Sequence, residues 1–149
     1  MHVTPILTSI LIGSLPFAAM AQTFNGGDLD DGANWTGGLP TSGTGTVNTD
    51  GSFDTTTPVT GRVWNVNQTG GTITQTVNTT AVDFDGGSWT QSGGNLNLGR
   101  VNFSDFDLIL DSGATFNQQN TNGESLFQTG SSITVNSGAT FNGSGNGND

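Results

Sequence analysis

Apolar and polar residues alternate in short runs along most of this chain. Val82 and Phe84 share one face, with Asp83 and Asp85 on the other, and Leu96 and Leu98 alternate with Asn95 and Asn97. Val101 and Phe103 flank Asn102, Phe106, Leu108 and Leu110 lie opposite Asp105, Asp107 and Asp111, and Ile133 and Val135 close the series. A period of two belongs to a half-buried strand, whose successive side chains point to opposite faces. The runs are brief and bounded by Gly, Asn, Ser and Asp, so they predict many short strands joined by tight bends.

The bends share a phrase: a polar residue, Ser or Thr, Gly, two small residues, an apolar residue, then Thr or Asn. It is written as QTGGTIT from Gln68, QSGGNLN from Gln91, DSGATFN from Asp111, QTGSSIT from Gln128 and NSGATFN from Asn136. The copies at 68, 91, 111 and 136 start 23, 20 and 25 residues apart, the length of one coil of a solenoid. Strand-like residues at that period predict a parallel β-helix over helical repeats. Equivalent positions of successive coils stack, so Ile73, Leu96, Phe116 and Phe141 are expected to form one internal ladder. The third-position Gly marks the bend before it. Phe84 to Thr90 runs directly into the copy at Gln91, and the copy at Gln128 into that at Asn136. These doublets fit two consecutive faces of one coil, which gives about four coils across residues 62–142.

The N-terminal quarter has a different texture. Residues 1–21 read as a signal peptide, with an apolar stretch from Ile6 to Ala19 and the small-x-small sequence Ala19-Met20-Ala21 at its end. The stretch is shorter than the roughly 20 residues of a membrane span. Residues 22–61 carry many turn signals and few apolar residues, and are expected to be a loop-rich cap and connection with Trp35 as its plug. Residues 143–149 read as a Gly/Asn-rich tail. The Phe141 layer is then left open to end-to-end self-association.

The phrases QTGGTIT and SWTQSGGNLNLG, with the opening NWTGGLPTSG from Asn34 to Gly43, resemble the secreted β-helix passenger and autotransporter-like proteins of Gram-negative bacteria. The resemblance covers most of residues 24–142. It implies an all-β fold, a right-handed parallel β-helix (β-solenoid), and export to the extracellular space or the outer cell surface. It also implies a structural or adhesive role toward surface or matrix polysaccharide or protein, and brings no catalytic residues with it.

Composition narrows the chemistry. The chain carries 12 acidic residues, all after residue 21, against Arg62 and Arg100, for a net charge of −10. Nucleic acid and anionic membrane surfaces are poor partners for such a surface. There is no cysteine, no lysine, and a single histidine, His2, inside the expected signal. The usual thiol, amine and imidazole chemistry is therefore missing from the mature chain, and no enzyme is expected. A lyase on acidic sugars would have to draw its cationic group from Arg62 and Arg100. No cofactor is expected beyond a calcium ion. Asp83 with Asp85 and Asp105 with Asp107 put paired carboxylates on an outward face, and hard oxygen ligands suit that ion. The alternative function is an extracellular carbohydrate-binding module with weak calcium dependence, with Trp89 as its outward, sugar-stacking residue. Thr72, Thr74 and Thr76 form an outward Thr row that later coils do not keep.

Overall fold

The computed structural model describes residues 21–41, 43–54, 59–77, 79–119 and 125–143. Apart from Ala21 and Gly143, the expected signal peptide and Gly/Asn-rich tail lie outside the described residues, as does part of the connection before Arg62.

The strands are β1 (Gln22–Phe24), β2 (Gly27–Asp28), β3 (Trp35–Thr36), β4 (Thr44–Val47), β5 (Gly51–Phe53), β6 (Val63–Gln68), β7 (Thr72–Gln75) and β8 (Val82–Phe84). They continue as β9 (Gly86–Gln91), β10 (Asn95–Leu98), β11 (Val101–Phe103), β12 (Phe106–Leu110), β13 (Thr115–Gln118), β14 (Leu126–Phe127), β15 (Ser132–Val135) and β16 (Thr140–Gly143). A 3-10 turn, Gly32–Asn34, is the one helical element among the described residues, and Asp31 caps it by accepting from the Ala33 amide.

Each coil gives one strand to each of two long walls of a β-solenoid, and among the described residues the third wall takes strands from only some of the coils. The first wall stacks β1, β4, β6, β9, β12 and β15 in parallel, the second β2, β5, β7, β10, β13 and β16, the third β8, β11 and β14. The expected ladder is present, with Ile73 opposite Leu96, Leu96 opposite Phe116, and Phe116 opposite Phe141. Both doublets span consecutive faces of one coil, as β9 with β10 and as β15 with β16.

The coil count is about five, against the four expected, because parallel stacking already runs through Gln22–Phe53. Glycine hides those strands from a pattern reading. Gly45 occupies the ladder position of Val66, and the room its side chain would need is filled by the Trp35 indole and Pro40. Gly51 stands opposite Ile73, and there the Phe24 ring and Leu29 take the space. Large residues from the first coil reach across two glycines, so the core is filled while the local alternation disappears.

The core is a continuous column of rings. Phe24 touches Trp35, Trp35 meets Trp64 edge-on, Trp64 adjoins Phe53 and Phe84, and Phe84 stacks on Phe106 with centroids 4.5 Å apart. Phe103 carries the column down to Phe127. Tilted and edge-to-face pairs of this kind add to the apolar area that each ring removes from water.

Two kinds of corner join the first wall to the second. At Gln68 and Gln91 the glutamine points inward and is fully buried. The Gln68 amide donates to the carbonyls of Gly70, Gly71 and Asn95, and that of Gln91 to those of Gly94 and Thr115. These bonds satisfy carbonyls that a tight bend strands inside the core. At Asp111 and Asn136 the corner is one residue longer and closes as a turn, with the Ala114 amide donating to Asp111 and the Ala139 amide to Asn136. The polar side chain now faces outward, buried Leu110 takes the ladder position that Gln91 holds in the coil above, and Ala114 is buried in the turn. Gln75 repeats the inward device at the next corner, donating to Val77 and Thr80 and accepting from the Gly99 and Arg100 amides.

Candidate functional site

The features that distinguish this solenoid lie at its two ends. At the N-terminal end, β3 runs antiparallel along β1, with Thr36 opposite Thr23 and Trp35 opposite Phe24. It occupies the edge that a further parallel strand would need. Trp35 then turns its ring inward over the first coil and donates from Nε1 to the Leu29 carbonyl at 2.9 Å. Leu29 is fully buried beneath it. The first wall, closed in this way, does not offer the edge of β1 to another chain.

Arg62 braces the same end. Its side chain is 2% exposed, and it grips Asp30 with two bonds, Nε to Oδ1 at 2.7 Å and Nη2 to Oδ2 at 2.6 Å. Nη1 donates to the carbonyls of Val59 and Asp83. The guanidinium also lies 5.5 Å from the Phe53 centroid and 5.9 Å from those of Trp64 and Phe84. Asp83 belongs to β8, the first described strand of the third wall, so Arg62 takes up a carbonyl on an edge with no described strand above it. A planar fork that is always charged suits this bidentate and ring-facing place better than lysine. Arg62 is thus held inside the fold and is not a cation displayed to a substrate. The sequence offered a signal for it: a lone arginine directly before an alternating strand, in a chain otherwise dominated by carboxylates.

At the other end β14, β15 and β16 form the last described rung, and no described strand follows them. Leu126, Phe127, Val135 and Phe141 are 41%, 47%, 48% and 36% exposed, whereas Phe116, one layer above Phe141, is fully buried. The rung, residues 125–143, contains no charged side chain. On its outer face, Asn142 donates to Asn117 and Asn117 to Asn97, both at 2.7 Å, an amide ladder that leads down to this edge.

The carboxylates singled out from the sequence are spread over separate positions. Asp83 accepts from the Asn102 amide and Asp85 from the Gly61 backbone, each at 2.5 Å, and Asp107 from the Ser132 hydroxyl at 2.5 Å. Asp105 sits in the bend between β11 and β12 at φ +50°, with its backbone amide donating to Thr129. Each of these contacts joins neighbouring coils. Among the described residues no three His, Cys, Asp or Glu side chains converge as metal ligands would.

Trp89 requires a correction. It is 1% exposed, lies in register between Val66 and Leu108, and donates from Nε1 to Gln68 Oε1 at 3.1 Å. The polar Thr90-Gln91-Ser92 that suggested an outward ring misleads because Gln91 itself points inward. Trp35 and Trp64 are buried as well, so no tryptophan offers a face to a sugar. The Thr row does face outward, where Thr72 and Thr74 stand beside Asn95 and Asn97.

No helix among the described residues is long and apolar enough to cross a membrane. No family model, curated protein or solved structure matches the chain.

Proposed function

We propose that this chain is a secreted or surface-exposed structural and adhesive solenoid, of the kind displayed outside a Gram-negative cell, that joins a second copy of itself through its open rung. The observation that carries this reading is the contrast between the ends. Strand edges are ordinarily guarded by charge, proline or a covering segment. The N-terminal end has its covering strand, while the C-terminal rung exposes four large apolar side chains with no charge among them.

The first wall is covered at the N-terminal end and bare at the rung, which favours pairing rung to rung. A patch that meets its own copy about a two-fold axis makes a closed dimer, not a growing fibre. The chain carries −10, and the lack of charge at the rung removes repulsion where the two copies touch. Polysaccharide or protein of the surface would then be met by the walls, which are lined with Asn, Ser and Thr. The reading requires neither a catalytic step nor a cofactor.

Light scattering of the purified exported protein over a concentration series tests the joint. A dimer that becomes a monomer on Phe127→Asp, with the β circular dichroism unchanged, is expected. A wild-type monomer at the highest concentration sinks the joint, and open-ended fibres would show that the N-terminal end accepts a partner after all.

A further inference from the structure

The last rung is finished unevenly around its three walls. Its inward ladder positions, Phe127, Ile133, Val135 and Phe141, continue buried apolar columns. Its outward positions are polar on the first wall, as Ser132 and Thr134, and on the second, as Thr140 and Asn142. On the third wall the outward column runs Asp83, Asn102 and then Leu126, which is 41% exposed. An apolar side chain therefore ends a polar column at the place where that column borders the open edge.

Chain direction restricts how two such rungs can meet. Each coil passes from the third wall to the first and then to the second. Turning one copy over to face the other reverses that sense, so strands that meet across the joint run antiparallel, unlike the ladders within the solenoid. A two-fold axis lying in the joint passes through one wall, pairs the strand of that wall with its own copy, and exchanges the other two. An axis through the first wall sets four-residue β16 against two-residue β14, and an axis through the second sets four-residue β15 against β14. An axis through the third wall pairs β14 with β14 and β15 with β16, so that every strand meets one of its own length.

We propose that the joint is antiparallel with its two-fold axis through the third wall, and that Leu126 selects this axis. Leu126 then lies opposite the partner's Leu126 or one diagonal step from it, within reach of a cross-strand contact. Either other axis would leave it among hydroxyl and amide side chains. Phe127, whose ring centroid is 5.3 Å from that of Phe103, carries the ring column into the second copy. Alternation in both partners brings Ile133 or Val135 against the partner's Phe141 on the shared inner face. The inference rests on the rung-to-rung reading and assigns each strand its partner.

The chain has no cysteine, so single thiols can carry spin labels one rung above the joint. Asn102→Cys, Ile109→Cys and Asn117→Cys place a nitroxide outward on the third, first and second walls in turn. Electron spin resonance of each dimer should find the Asn102→Cys labels closest, with their strands three spacings or about 14 Å apart. The Ile109→Cys and Asn117→Cys labels should lie farther apart, because the axis carries each to a different face. Leu126→Ser, at an outward position, should raise the dimer dissociation constant about tenfold or more in light scattering, with urea unfolding of the monomer unchanged. A shortest distance at Ile109→Cys or Asn117→Cys overturns the axis and leaves the dimer standing, and an unchanged dissociation constant for Leu126→Ser does the same. Wild-type protein that stays monomeric at the highest concentration removes the joint and the axis together.

Discussion

The two ends of this solenoid are built on the same ladders and finished in opposite ways. In the first coils, Phe24, Leu29, Trp35 and Phe53 are buried around an ion pair, and an antiparallel strand seals the edge. In the last rung, the equivalent apolar positions are one-third to one-half exposed and both long walls end in parallel strands. The difference shows that stacking alone does not bury a core. A residue in a solenoid is covered by the coils above and below it, so the terminal layer is always half-made unless something else is laid across it.

The sharpest way to break the contrast is to open the sealed end. Arg62→Ala removes the partner of a nearly buried Asp30 and strips donors from the Val59 and Asp83 carbonyls. Loss of one member of a buried pair costs about 3–5 kcal/mol. Urea unfolding should show that loss, and Arg62→Lys should recover only part of it because an ammonium cannot hold Asp30 with a fork.

The next effect compares one ladder at two heights. Phe116→Ala deletes a fully buried ring and should cost about 3–5 kcal/mol. Phe141→Ala, the neighbouring rung of the same stack, leaves a residue that already meets solvent on one side. Under conditions that hold the protein monomeric it should cost less than half as much. Equal losses by urea unfolding would mean that the rung is covered in the monomer and that the ends are not as unlike as described.

The smallest effect lies on the outer wall. Asn117→Ala cuts the amide ladder between Asn97 and Asn142. A side-chain hydrogen bond at a partly exposed site contributes about 1 kcal/mol net. Amide hydrogen exchange should rise in β16 while protection in β7 and β10 stays as it was, since the lost bonds lie toward the open end.

How much of this was legible follows from where alternation survives. Ile73, Leu96, Phe116 and Phe141 announced their stack because each is flanked by polar residues at the same phrase position. Gln22 to Phe53 did not, because the residues that fill its core come from Phe24, Leu29, Trp35 and Pro40 while Gly45 and Gly51 stand where ladder residues belong. The repeated phrase itself joined two different corners under one pattern: Gln68 and Gln91 go in, Asp111 and Asn136 stay out. Strand parity carried the missing information, since Gln68 is two residues from Val66 and Gln91 two from Trp89. Arg62 was visible as a lone cation, but only the fold brings Asp30 to it across 32 positions of chain.

The column of rings has an optical consequence. The three tryptophans, Trp35, Trp64 and Trp89, lie on β3, β6 and β9, above the last two strands of the first wall, and the chain has no tyrosine. Their emission reports the rungs from the sealed end down to β9 and should be shifted to the blue by the dryness of the core. The last two rungs, with phenylalanine alone, are dark to that probe. Fraying of the last rung would pass unseen in fluorescence while registering in circular dichroism. A gap between the two melting curves would therefore mean that unfolding starts at the open end and moves inward.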